Sequence, residues 1–303
     1  MPTFTHALST NNYGPNKFIV SPNAYEGTHT TIASAIASAS SGDTIIFRPG
    51  TYTENYTVDK SLTFYADTNT YHGYGNVTII GKATISSNNI NFIANGISFQ
   101  TNGDYISSLT GSNSVISLTQ CYVNCTNNSG FNLGSSTSSN LYMTNCDTIT
   151  ANGYALFTST GATVFIRFST LGISDTQSQT AGSLYINDST VDIPIKSNAG
   201  GLIQLINCTC GAISTPYVNT TWVTHNDTTT LNSALIGCIF YSGTASAVSI
   251  GGGATLNMAQ CVINSSNASA IAGTGTLNKG ILTFTGSSST IAGGLTVNTY
   301  TTS

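Results

Sequence analysis

An eight-residue pattern recurs along this chain: apolar-x-apolar-x-x-[Cys/Ser]-x-apolar. The copies read ISLTQCYV, LYMTNCDT, VFIRFSTL, LYINDSTV, IQLINCTC, SALIGCIF and LNMAQCVI, and a weaker GILTFTGS closes the series. The residue at the sixth position is Cys121, Cys146, Ser169, Ser189, Cys208, Cys238, Cys261 and finally Thr285, at steps of 25, 23, 20, 19, 30, 23 and 24 residues. A repeat in the twenties matches one coil of a solenoid built from three short strands. Within each copy, residues two apart share a strand face, so Ile116 and Leu118 point the same way, as do Leu184 and Ile186. The next inward position comes three residues later. A continuous strand cannot make that step, and a helix would need three- and four-residue spacing throughout. A corner between two strands can. The pattern therefore predicts an all-β, right-handed parallel β-helix.

Two columns follow from stacking the copies. Cys121, Cys146, Ser169, Ser189, Cys208, Cys238 and Cys261 would form one interior column of small side chains, since free Cys packs as a small hydrophobe. Gln120, Asn145, Asp188, Asn207 and Gln260 precede them at the corner. Coils stack about 4.8 Å apart, close enough for amide side chains to form a ladder along that corner. Both columns read as structural. Neighbouring thiols come within disulfide reach, but the expectation is free thiols.

The beginning of the chain is different. Thr30 to Ala39 carries a Thr cap and isoleucines four apart, the signature of a short amphipathic helix. Turn signals at Ser41-Gly42-Asp43 and Pro49-Gly50 bracket the strand Thr44 to Phe47. A solenoid end exposes unpaired strand edges and needs a cap, a role this helix fits. The predicted organisation is an N-terminal segment at 1–29, a capping helix and first coil at 30–60, and β-helix from 61 to 303, continuous with 30–60.

The stretch TIASAIASASSGDTIIFRPGTYTEN, residues 31–55, resembles the start of pectin-lyase-like right-handed β-helix proteins, with G-D-T-I-x-x-x-P-G-T-Y-x-E marking the capping helix and first coil. The late stretches 273–277 and 283–291 look like the closing coils of Ser/Thr/Asn-rich β-helix proteins of bacterial viruses. The first resemblance implies the fold. The second implies a tail fibre or other virion appendage.

Composition narrows the functional classes. Only 6% of residues are charged, against 40% hydrophobic, and the net charge is −4. High apolar content argues against disorder. Seven scattered Lys and Arg make no basic stripe for nucleic acid. No apolar run reaches the ~20 residues that cross a bilayer, so membrane insertion is not expected. The start, MPTFTHALST, lacks the basic and apolar regions of an ordinary signal peptide, which places the expected location in a virion or outside the cell by another route.

The search for chemistry yields no catalytic, metal-binding or cofactor-binding set. Beyond residue 104 the acids are Asp147, Asp175, Asp188, Asp192 and Asp227. That is sparse for a calcium site of six to eight oxygens, and nothing in the local sequence supports a glycosidase carboxylate pair. Arg48 lies in the cap and Arg167 at a corner. Tyr65, Tyr71, His72 and Tyr74, and Trp222 with His225 in the longest inter-repeat insertion, are the candidate glycan or protomer contacts. The resulting expectation is a non-catalytic structural or attachment protein, a virion tail fibre or surface appendage. It would self-associate, with a trimer favoured and a filament as the other form, and contact cell-surface glycan. A polysaccharide-degrading depolymerase spike and a self-assembling extracellular filament protein are the alternatives.

Overall fold

Each octet bends at its fifth residue because that residue leaves the β region. In the computed structural model Gln120, Asn145, Phe168, Asp188, Asn207 and Gln260 have φ between 49° and 55°, and Gly237 takes the same role at 65°. This left-handed conformation turns the chain in one residue and suits Asn, Asp and Gly best. The corner amides then bond to the next coil: Gln120 N donates to Thr144 O at 3.0 Å and Asn145 N to Arg167 O at 3.1 Å.

The structure describes residues 18–67, 76–101, 106–125, 130–133, 138–150, 157–159, 161–172, 178–180, 182–197, 200–211, 220–229, 232–285 and 290–299. Among these, the coils run through three parallel sheets, with the terminal strands Phe18–Val20 and Thr296–Thr299 in the first sheet alone. Sheet A has 13 strands, sheet B 11 and sheet C 10. Asn91–Asn95 (A), Ser98–Thr101 (B) and Ser107–Leu109 (C) make one coil, and Val115–Thr119 returns to sheet A directly above Asn91–Asn95. The result is a parallel β-solenoid of about ten turns with almost no helix. Among the described residues, no helix is long and apolar enough to cross a membrane.

Register stacks the octets. Tyr122 pairs with Asp147, Asp147 with Thr170, Thr170 with Thr190, Thr190 with Thr209, Thr209 with Ile239 and Ile239 with Val262. The residues immediately before them, Cys121, Cys146, Ser169, Ser189, Cys208, Cys238 and Cys261, are therefore superimposed, and all are buried. The thiols are free. Cys146 Sγ lies 3.4 Å from Thr144 O, and Ser169 Oγ accepts from Cys146 N at 3.1 Å.

The final copy needs correcting. Thr276–Lys279 lies in sheet A and Cys261 pairs with Leu282, so the corner falls at Gly280 and Ile281 rather than before Thr285. Lys279 stands in register with Met258. A charged residue in an apolar slot hid the true octet, and the spacing of Gly280, Leu282 and Thr285 imitated it three residues late.

At the N-terminal end, the family-like motif proves to be a set of caps. Thr31 Oγ1 accepts from Ser34 N at 3.2 Å, and the Glu54 carboxylate accepts from Ile32 N and Ala33 N of the helix Ile32–Ser38. Lys60 Nζ donates to Ile36 O and Ala39 O at the other end of the helix, both at 3.1 Å. Asp43 accepts from Ser40 N, and Arg48 pairs with Asp67. Each charge satisfies a helix end, a turn or another charge.

Candidate functional site

Sheet C presents the face best suited to a ligand, and it is the face that the octets do not report. Its strands are two or three residues long with one outward side chain each. Register aligns Thr57, Thr84, Ser108 and Asn132, continues along the backbone through positions 158 and 179, and resumes with Lys196, Thr224, Ser249 and Ala272. Among the described rungs the column is hydroxyl and amide up to Ala272 at its C-terminal end, with Lys196 its only charged side chain. Rungs spaced about 4.8 Å apart make a straight, nearly neutral track of hydrogen-bonding groups.

Behind Lys196 lies a buried polar cluster. Ser197 and His225 point inward from paired positions on neighbouring strands. Ser197 Oγ and His225 Nδ1 are 2.7 Å apart, and Asn226 N donates to the same hydroxyl at 3.2 Å. His225 Nε2 lies 3.1 Å from Thr255 O. A carbonyl can only accept, so Nε2 carries the ring proton and Nδ1 accepts from Ser197. Burial pushes the imidazole below its ordinary range, against the opposing pull of the Thr255 carbonyl and Asp227. For Asp227, burial opposes ionisation, but bonds from Thr229 and Gly200 outweigh it and hold the carboxyl low. Ser197, His225 and Asp227 are all buried. They read as a clamp across successive coils: the serine has no access to a substrate and its hydrogen bond goes to Nδ1 of a histidine locked by main chain.

The candidate contacts named from sequence do not converge. Tyr65 is half-buried on the outer face of sheet A, in register with Ile46 and Asn95. Tyr71, His72 and Tyr74 lie outside the described residues. Trp222 is buried: its Nε1 donates to Tyr241 O at 2.7 Å, and its ring presses on Gly211, whose φ of 82° and lack of Cβ leave the space. Neither Trp222 nor His225 offers a surface to glycan or protomer. The corner residues contribute the side-chain bond from Asn207 Nδ2 to Asp188 Oδ1 at 3.2 Å, while Phe168 and Gly237 interrupt the amide series.

Two outer-face features of sheet A carry no signal in the octets. Tyr142, Phe165 and Tyr185 stack ring on ring at 4.9 Å, with interplanar angles of 4° and 9°. Farther along, Asn257, Asn278 and Asn298 form an amide ladder with 2.9 Å bonds. Both occupy positions between inward apolar residues, where i+2 spacing across coils would reveal them.

Cys125 and Cys210 are poor candidates for chemistry. Burial raises Cys125 to about 12 and lifts Cys210 as well, so both stay protonated near neutrality, and the thiolate is the reactive form. Among the described residues no group of three or more His, Cys, Asp or Glu is placed to hold a metal.

No family model matches the sequence, and no curated protein matches it either. Solved structures do. The chain superimposes on pectate lyase Pel9A with a TM-score of 0.51 at 12% identity, covering 93% of this chain and 80% of the lyase. On pectin methylesterase from carrot the values are 0.50 and 15%, covering 94% and 88%. The likeness shows the fold, a right-handed parallel β-helix shared with these pectin-lyase-like neighbours. The expectation of a non-catalytic tail fibre or attachment protein is thereby overturned: the solved structures this chain superimposes on are enzymes, a pectate lyase and a pectin methylesterase. The sequence misled because a β-helix assembles its site from side chains on separate coils, and no linear motif need exist.

Proposed function

We propose that the chain is an enzyme that cleaves an acidic polysaccharide laid along the outer face of sheet C, with Lys196 as the base. The observation carrying this reading is the column itself, neutral hydroxyls and amides on both sides of one amine. Hydroxyl and amide rungs suit a polymer whose surface is mostly hydroxyl, and Lys196 is the one side chain among the described rungs whose amine can serve as a base. The fold's likeness to a pectate lyase and a pectin methylesterase supports the same class.

Elimination suits this column better than hydrolysis. Glycoside hydrolysis asks for two carboxylates flanking one bond, and the described rungs supply none. Elimination asks for a base at the carbon beside the uronate carboxyl. The unprotonated Lys196 amine takes that proton, the electron pair forms the carbon–carbon double bond, the glycosidic C–O bond breaks, and water protonates the departing oxygen.

Polyuronates and neutral polysaccharides incubated with the protein test this reading, following reducing ends and the ultraviolet absorbance of the conjugated double bond. Both signals should rise together on a polyuronate, and Lys196→Ala should lower the rate about 100-fold or more, the scale of a lost general base. Absence of product from every polymer, or a Lys196→Ala variant at wild-type rate, would overturn the proposal.

A further inference from the structure

The column on sheet C does not run off the molecule at its N-terminal end. Its first strand, Tyr56–Thr57, is the edge of that sheet, and the capping helix stands beside it. Between them lies a cleft of about 420 Å³, within the ~300–1,000 Å³ typical of small-molecule sites. Its two sides are chemically different. The helix supplies an apolar wall from Ala33, Ile36 and Ala37; the other side carries Asn55, Thr57, Asp59 and, one coil on, Thr84. Asn55, Thr57 and Asp59 alternate with buried Tyr56 and Val58, so period-2 geometry sets an amide, a hydroxyl and a carboxylate about 6.6 Å apart in a row.

Resting on the function proposed above, we infer that this cleft is a subsite for the neutral sugar at one end of the polysaccharide. A pyranose has an apolar C–H face and a rim of hydroxyls that both donate and accept, which matches a wall of alanine and isoleucine opposite a polar floor. Asn55 Oδ1 is already taken by Lys82 N at 2.9 Å, which leaves its amide hydrogens as donors. Asp59 only accepts, and the threonines do both. The charge balance selects against a uronate here. Lys60 Nζ pairs with Asp59 at 3.8 Å but gives its hydrogen bonds to Ile36 O and Ala39 O at 3.1 Å, so the exposed carboxylate keeps its acceptors for a sugar hydroxyl and repels a second carboxylate. The helix blocks further sugars beyond this point, and Thr57 and Thr84 are the first two rungs of the column. The polymer would therefore be held by its end, with cleavage at Lys196 several rungs away.

Binding measured directly, by calorimetry and by shifts of the threonine methyl resonances, tests the cleft apart from turnover. The probes are glucose-, galactose- and mannose-ended tetrasaccharides and tetragalacturonate. At least one neutral probe should bind wild type and Lys196→Ala alike, and lose 10-fold or more in affinity in Ala37→Trp, which fills the cleft, and in the gentler Thr57→Val/Thr84→Val pair. Wild-type affinity in a folded Thr57→Val/Thr84→Val protein, no binding of any neutral probe, or a preference for tetragalacturonate in the cleft would overturn this inference. Failure of the lyase reading would instead appear as absent turnover, whatever these probes do.

Discussion

The closed end and the repeating body of this solenoid are built from different materials. Around the cap, Phe47, Phe64 and Phe92 pack with centroids 4.9 Å apart along the axis, and Tyr56 and Tyr52 flank them. Charges there each complete a helix end, a turn or an ion pair. In the body the interior is mainly aliphatic, with separate rings at Phe99, Phe131, Trp222 and Phe240 and a column of thiols and hydroxyls, and almost every polar contact is neutral. A coil in the middle has its strand edges satisfied by the coils on either side. The end has no such neighbour, so irregular backbone must be satisfied by specific groups, and large rings fill space that the cross-section leaves open.

The largest test of that contrast is Phe64→Ala. Removing a fully buried ring in contact with three others should cost about 3–5 kcal/mol, while Cys146→Ala in the body should cost about 1 kcal/mol, the scale of one buried methylene. Urea unfolding followed by circular dichroism measures both. Equal losses would mean that the cap is no more demanding than the body.

Next in size is Glu54→Gln. The amide still reaches Ile32 N and Ala33 N but lacks the charge that favours a helix N-terminus, and a lost charge-assisted cap is on the order of 1 kcal/mol. Hydrogen exchange should report the loss locally, with faster exchange in residues 32–38 and little change beyond the third coil.

The body's own exception is the clamp at His225. Its folded pKa lies below the ordinary 6.5, so the unfolded chain binds more protons and stability rises with pH in that window. Stability is complete above about pH 6.5 and falls as pH drops from there toward the depressed folded value, by at most about 1.4 kcal/mol per pH unit. Asp227, also held low, adds a second loss below about pH 3.9. Denaturation midpoints between pH 7 and 5 should shift in the wild type and flatten in His225→Gln. A flat wild-type profile would mean that the ring is not held neutral.

The sequence made the body's architecture legible because sheets A and B alternate cleanly on either side of a one-residue corner. Sheet C stayed hidden. Its strands are too short for periodicity, and some of its inward positions are polar, as at Ser107, Ser197 and His225. The coil at Phe92–Phe99 escaped because Gly96 occupies its corner and Ile97 its small-residue slot. The candidate site was illegible for a related reason: Lys196 and the rungs on either side, positions 179 and 224, are 17 and 28 residues apart and only register brings them together. Asn55, Thr57 and Asp59 were different, since their alternation with Tyr56 and Val58 could have been read directly.

Phe168 gives the finest test, because it departs from the rule that the rest of the corner follows. It adopts φ 49°, a conformation costing an L-residue about 1–2 kcal/mol and least for Gly, Asn and Asp. In return its half-exposed ring lies under Arg167, whose guanidinium carbon is 5.0 Å from the ring centre, worth about 0.5–1 kcal/mol at an exposed site. Phe168→Asn should therefore change stability by less than about 0.5 kcal/mol, the two effects nearly cancelling. The cancellation is separable: with Arg167→Gln already in place there is no cation to lose, and the same Phe168→Asn change should stabilise by about 1 kcal/mol. A double-mutant cycle in urea reads the difference. If the second step gains nothing, the ring is held by packing that the cation does not supply, and the corner's tolerance of phenylalanine has another cause.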